Sequence, residues 1–304
     1  MIVVNYRSAE LTLKALAEAR RAAGALTLQE IVVDGASGEQ ELALLRSSLP
    51  MARIIALPEN RGFAAGNNAG IEQASGRHLL LLNPDAFAQG DAVATLAEHL
   101  DRAPATGLVA PLLLNDDGSP QDNVFRRFPN LLTLFVDFCA PLAFLLRGRR
   151  LDPHNLPRAQ LRGPRPIAHA IGAALLVRAA AAHDAGPLDE GFFLYLEETE
   201  WQKRIASAGW GREVVPVARF THLGGGSSSS HPLASPHYLS SVRHYYRQPR
   251  TAMTVIRVAG NISWLSLRLA NIIGLGSERT KALEGTFGEL LALLRHGSPP
   301  MPPQ

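Results

Sequence analysis

From Glu59 to Asp85 the chain joins a polar, glycine-bearing turn (Glu59-Asn60-Arg61-Gly62), a short run of small residues (Ala64 to Gly70) and the segment Leu79-Leu80-Leu81-Leu82-Asn83-Pro84-Asp85. Four consecutive leucines without alternation suit a parallel strand covered on both faces. Pro84 has no N–H to give to a ladder, so the strand stops there. Asp85 is therefore delivered to the carboxyl edge of a sheet, where open α/β sheets bind ligands.

The flanking sequence repeats the same alternation. Strands are expected at Ile2–Tyr6, Glu30–Asp34, Arg53–Leu57, up to Asn83, and Gly107–Leu114. Between them fall helices: Ala9 to about Ala23, with Ser8 as N-cap and Leu11, Ala15, Leu16 and Ala19 on one face; a short one after Ser37; one to about Ala74; and one to about Arg102 capped by Asp91. Short strands alternating with such helices imply right-handed crossovers and a mostly parallel, Rossmann-like α/β sheet flanked by helices. Three strands end on polar groups, at Asn5-Tyr6, Asp34 and Asn83–Asp85, which is the layout of a nucleotide site.

Composition narrows the class. Of 304 residues 46% are hydrophobic and 19% charged, enough apolar mass for a substantial core and too little charge for a disordered chain. A net charge of +3 gives no electrostatic case for a nucleic-acid partner. Cys139 is the sole cysteine, which excludes a disulfide framework or a cysteine zinc site and favours a cytoplasmic setting. Met1 to Arg7 lacks a basic n-region and a long apolar core, so no signal peptide is expected; the chain enters directly on a strand, as though the start of that strand were trimmed. No window offers ~20 uncharged apolar residues for a membrane span.

The middle, Asn115 to Pro166, changes character. Leu131 to Leu146 is apolar and broken by Asp137 and Pro141, then bounded by Arg147-Gly148-Arg149-Arg150; it reads as a helical hairpin or lid with a basic margin, or as a core helix pair. A small-residue strand follows at Ala170–Arg178. Glu197-Glu198-Thr199-Glu200 opens a helix to Gly209, where first-turn carboxylates also suit the helix dipole. A strand from Glu213 to Phe220 leads to His222 and a glycine–serine loop read as mobile. Residues 250–273 form one or two amphipathic helices bearing Arg257, Arg268 and Trp264. They suit either a membrane surface, as peripheral contact at the inner face of the cytoplasmic membrane, or packing on the domain. Residues 1–114 thus form one expected part, 115–245 a second part of the same domain, 246–296 a helical extension and 297–304 a disordered tail.

Several motifs occur in one order: Val4-Asn5-Tyr6, Asp34-Gly35-Ala36-Ser37, Glu59 to Asn68, Asn83-Pro84-Asp85, Gly172 to Arg178, Phe192-Phe193-Leu194-Tyr195 with its acidic cluster, Ala208-Gly209-Trp210, and His222 before Gly-Gly-Gly-Ser. Over roughly residues 1–227 the chain resembles the inverting family 2 glycosyltransferases, within them the bacterial rhamnosyltransferase-like group. The resemblance implies a GT-A fold with a C-terminal helical extension, in which residues 1–114 are the nucleotide-sugar half and 115–245 the acceptor half of the same domain. It departs in two places. Glu197-Glu198-Thr199-Glu200 stands where the family has Glu-Asp-x-Asp, moving the carboxylates at 198 and 200 outward by roughly 1.5 Å, and Gly35 stands where the family has Asn.

The resemblance implies transfer of a sugar from a nucleotide diphosphate to a hydroxyl, with rhamnose from its deoxythymidine diphosphate ester as donor and a saccharide or lipid-linked saccharide of the cell envelope as acceptor. It implies Asp85 and His222 as ligands of Mg²⁺ or Mn²⁺, oxygen-rich sites being suited to both; a turn-capping Asp and a structural His are the plain alternatives. Asp34 would bind the base, and Asn5, Tyr6, Asn60, Gly62, Gly66, Asn67 and Asn83 would line the nucleotide sugar, or else serve ordinary loop chemistry. Glu198 aligns with the catalytic base, with Glu197 and Glu200 as neighbours; Glu200 also stands i, i+4 to Arg204, an ion-pair spacing. A UDP-hexose donor and a degenerate sugar-nucleotide-binding homologue stay open. A nucleotidyltransferase would want a glycine-rich N-terminal loop, and a glycosidase two opposed carboxylates.

Overall fold

The computed structural model describes residues 1–122, 124–146, 163–224 and 235–296. The first 82 residues supply β1 (Ile2–Asn5), α1 (Ala9–Ala22), β2 (Ile31–Asp34), α2 (Glu39–Ser48), β3 (Arg53–Ala56), α3 (Gly62–Glu72) and β4 (His78–Leu82). Their strands lie parallel in the order β3-β2-β1-β4, with Asn5 opposite Asp34 and Val3 opposite Leu82. The unalternated apolar runs of β1, β2 and β4 are buried on both faces, while β3 at the edge is partly open.

Two glycines fix how α3 lies on this sheet. A Cβ on Gly66 would sit 2.6 Å from a Val4 methyl, and one on Gly70 would collide with Ile2. Only glycine allows the helix so close to the strands beneath it.

Past β4 come β5 (Ala86–Ala88), α4 (Ala92–Arg102), β6 (Thr106–Leu114), β7 (Phe125–Arg126), α5 (Leu131–Phe138), α6 (Ala140–Leu146), β8 (Arg165–Pro166), β9 (His169–Ala170), β10 (Ala174–Arg178), α7 (Ala179–Ala185), α8 (Glu197–Ser207) and β11 (Gly211–His222). Among the described residues nine strands make one sheet: β3-β2-β1-β4-β10-β6-β11-β5, with β8 also on β11. Six run one way; β10 is inserted antiparallel between β4 and β6, and β5 and β8 lie antiparallel on β11. β7 and β9 form a separate two-stranded ladder.

Several expectations are adjusted. Ser8 and Asp91 occupy N-cap positions, but neither side chain caps its helix; Ser8 Oγ bonds Asn5 instead. The expected strand at Ala170–Arg178 divides at Gly172 into the ends of two ladders. The apolar segment 131–146 is two helices parted at Cys139, the first opened by a reciprocal Asn130–Thr133 capping box. Arg147–Arg150, much of the Pro-rich loop, the serine loop after Gly224 and the tail from Gly297 lie outside the described residues.

The chain groups into two compact units. One takes the described parts of Met1–Arg127, His154–Phe193 and Glu197–Gly226; the other takes those of Phe128–Pro153, Leu194–Leu196 and Ser227–Gln304. β10 and β11 thus fall with the N-terminal strands, because they complete the same sheet, and α8 falls in the same unit. The second unit holds α5, α6, α9 (Pro236–Tyr245), α10 (Pro249–Ile272) and α11 (Glu278–His296). Residues 250–273 make essentially one helix. It packs on α11 and α5 through Ala252, Ile256, Ala259, Gly260 and Ser263. No helix among the described residues is long and apolar enough to cross a membrane.

Candidate active site

The tips of β1 and β2 are tied together by buried hydrogen bonds. Asn5 Nδ2 donates to Asp34 Oδ1 (2.7 Å) and to Ser37 Oγ (3.2 Å), and its Oδ1 accepts from Thr12 and Ser8. Asp34 Oδ2 accepts the Ser37 N–H at 3.0 Å. Both Asn5 and Asp34 are fully buried. Asn5 spends its hydrogen-bonding groups inside the protein, which makes it a residue that orients Asp34. Tyr6 is exposed beside them, with the Arg7 guanidinium 5.1 Å from its ring centroid. Arg7 and Ala36, at φ 51° and 61°, put the two loop bends in the left-handed region.

At the tip of β4 a second pair forms, and β5 is what forms it. β5 pairs antiparallel with the end of β11, setting His222 opposite Ala86. This places His222 Nε2 3.5 Å from Asp85 Oδ1, both side chains mostly buried. Gln121 orients the imidazole: its Nε2 donates to the His222 carbonyl (2.6 Å), so its Oε1, 2.9 Å from Nδ1, is the acceptor. With Nδ1 held by Gln121, Nε2 is the ring nitrogen that faces the Asp85 carboxylate. A cation fits the donor set: Mg²⁺-type sites use one or two protein groups and complete their shell with water and substrate phosphate, and a ligating His commonly has its other nitrogen held by a neighbouring oxygen. Among the described residues no group of three or more His, Cys, Asp or Glu that could hold a metal ion exists. Asn83, two residues before Asp85, has its side-chain oxygen buried with no protein partner.

The acidic cluster meets the same edge from the other side. The Asn83 N–H donates to the Ala173 carbonyl (2.9 Å), and next to Ala173 lies Gly172, where a Cβ would stand 3.3 Å from Glu198 Cγ and 3.5 Å from the Phe63 ring. Gly172-Ala173 therefore spans from the end of β4 to Glu198. Glu198 lies deep yet keeps some surface open. Burial pushes its carboxyl up from the usual range, while the backbone N–H groups of Glu198 and Thr199, the Thr199 hydroxyl and the Arg126 charge pull it down in part. Its helix is held in register by Gln202. That side chain accepts from the Ala170 N–H (2.9 Å), donates to the Ala170 carbonyl (2.7 Å) and reaches the Glu198 carbonyl (3.1 Å). The amide thus acts as a third strand beside β9.

The other candidates separate. Glu197 is buried at the start of α8. Glu200 makes the ion pair its spacing suggested: Arg204 Nε donates to both of its oxygens (2.9 and 3.0 Å), and the same guanidinium bonds the Ala185 carbonyl. It holds α8 to α7 and is not carried forward as a base. Asn60 Oδ1 accepts the Gly62 N–H (3.0 Å); Gly62, at φ 85°, has no room for a Cβ beside the Phe193 carbonyl. Asn67 is buried and donates to the Phe63 carbonyl, and Gly66 is accounted for by packing on Val4. Asn68, unremarked from sequence, bonds both the N–H and the carbonyl of Leu188 and also Glu190, which pairs with Arg61. Gln121, Arg126 and Gln202 were missed too. Gln202 alone left a signal, a polar residue i+4 from Glu198 between the apolar Trp201 and Ile205.

Residues 1–184 match the family model described as glycosyl transferase family 2. An N-acetylglucosaminyl-diphospho-decaprenol L-rhamnosyltransferase of Mycobacterium tuberculosis is 28% identical over 151 residues, 47% of this chain and 46% of that one. The low-salt glycan biosynthesis hexosyltransferase Agl10 of Haloferax volcanii is 27% identical over 213 residues, 66% and 59% of the two chains. The chain thus spans about half the length of the curated relatives it matches. Mannosyltransferase PcManGT from Pyrobaculum calidifontis, solved with GDP-Man and Mn²⁺, superposes with a TM-score of 0.59 at 13% identity, covering 98% of this chain and 85% of that one. The fold is the GT-A fold, and the chain belongs to glycosyl transferase family 2.

Proposed function

We propose that the protein is an inverting glycosyltransferase that moves rhamnose from its deoxythymidine diphosphate ester onto a hydroxyl of a lipid-linked envelope saccharide, with Mg²⁺ or Mn²⁺ on Asp85 and His222. The observation that carries the reading is the arrangement at one sheet edge. A deep carboxylate, Glu198, whose proton affinity is raised by burial, is linked through Gly172-Ala173 to the strand end bearing Asp85 and His222. The name of the mycobacterial relative supports the sugar and the diphospho-lipid acceptor.

Glu198 takes the proton of the acceptor hydroxyl as that oxygen bonds the anomeric carbon, and the carbon–oxygen bond to the diphosphate breaks on the opposite face. One base and one displacement invert the configuration. Asp34, held by Asn5 and Ser37, receives the base of the nucleotide; Asn83 offers its buried oxygen beside Asp85. A bound divalent cation would neutralise charge on the departing diphosphate. Glu198 is one methylene longer than Asp, and its carboxyl position depends on the hold that Gly172 and Gln202 have on α8.

The test is a donor panel against a diphospho-lipid-linked N-acetylglucosamine acceptor, with the product's anomeric configuration read by NMR. Transfer of rhamnose with inversion is expected. A retained configuration, or exclusive use of a UDP-hexose, would overturn the mechanism or the donor respectively.

A further inference from the structure

Of sixteen large apolar side chains exposed across the described residues, eleven lie in the second unit, and seven of those fall on α10 and the residues just after it. Val258, Ile262, Leu265, Leu269 and Ile272 are spaced 4, 3, 4 and 3 residues apart. That spacing draws one stripe roughly 21 Å long down the helix. The stripe is opposite the packed face, and Ile272 remains 70% exposed. Its border is cationic. Arg250, Arg257 and Arg268 are exposed and fall along one margin at helical spacing, and α10 contains no Asp or Glu. Trp264 sits at the same margin, with the Arg268 guanidinium 4.9 Å from its ring centroid.

We propose that this face of α10 docks on the surface of an anionic phospholipid bilayer, lying in the plane of the headgroups. The charge pattern selects this occupant. A second copy would bring two rows of arginine together with no carboxylate on either helix to pair them, whereas anionic headgroups supply the missing charge and the acyl boundary takes the stripe. Long arginine side chains reach headgroups while their stems cover apolar surface, and tryptophan favours the same depth. The helix lies on the membrane and does not cross it, since its other face is occupied by α11 and α5 and it carries three arginines. This docking is independent of the reaction proposed above.

Vesicle flotation of the full chain without substrate tests it. With phosphatidylcholine vesicles containing 30% phosphatidylglycerol the protein is expected to float, and with phosphatidylcholine alone to float far less. Leu265→Glu/Leu269→Glu should abolish flotation. Arg257→Gln/Arg268→Gln should weaken it by roughly fivefold per arginine on the anionic vesicles only. Melting temperature is read for each variant, and because all four residues are exposed it should hold. Failure of the wild type to float, or flotation untouched by the leucine changes, would overturn the proposal. So would a dimeric mass by light scattering that the leucine changes reduce to monomer, since a second copy would then cover the stripe.

Discussion

In its proposed role as base, Glu198 carries opposing demands. A base must be ionised to accept a proton, yet burial favours its neutral form. The Arg126 charge and the first-turn N–H groups of α8 lower the cost without removing it. The acid limb of the kcat profile should therefore fall above the ordinary glutamate range, and Arg126→Gln should move it higher still. A limb that stays put in that variant would show that Arg126 does not act on Glu198. For stability the sign runs the other way. A carboxyl whose pKa is raised by folding contributes stability below its unfolded value and loses it as pH rises through the folded value, each tenfold change in proton affinity being worth about 1.4 kcal/mol. Glu198→Gln should thus melt higher than wild type at neutral pH. Asp85 and Asp34 stand out in the sequence because strand ends present them, and Glu198 because its acidic cluster resembles that of the family. The pairings of Asn5 with Asp34 and of Gln121 with His222 are not legible there, because the partners lie 29 and 101 residues apart.

At the scale of elements, legibility followed length and covering. β1, β2 and β4 are apolar runs between helices and were readable as buried parallel strands. β5, β7 and β9 are two or three residues long, too short for any period, and only their distant partners define them. β5 matters most, because without its pairing on β11 His222 would not reach Asp85. Read from sequence, Gly62 and Gly66 suit either the lining of a nucleotide sugar or ordinary loop chemistry, and the structure supplies a packing reason for Gly66. Gly66→Ala should lower stability by about 1–3 kcal/mol from overpacking, less up to ~1 kcal/mol of alanine's helix advantage. Val4→Ala in the same chain should recover most of the loss, the coupling expected of touching residues. Additive losses in thermal melts of this double-mutant cycle would show that the glycine answers to something other than Val4.

Across the whole molecule, the two units differ in what they present to solvent. The first completes a sheet whose carboxyl edge gathers Asn5, Asp34, Asn83, Asp85 and, through Gly172, Glu198; the second displays most of the exposed apolar side chains. The nine-stranded sheet was legible in outline, but the antiparallel insertion of β10 was not, since strand direction leaves no mark in an apolar run. The proposed division of labour along that edge gives the donor to Asp85 and the acceptor to Glu198. Calorimetric donor affinity with Mn²⁺, measured beside single-turnover transfer in Asp85→Asn and Glu198→Gln, separates them. Glu198→Gln should keep donor affinity within about threefold while transfer falls by at least ~100-fold, and Asp85→Asn should weaken Mn²⁺-dependent donor binding by about tenfold or more. Wild-type transfer by Glu198→Gln, or undiminished Mn²⁺-dependent donor binding by Asp85→Asn, would contradict it.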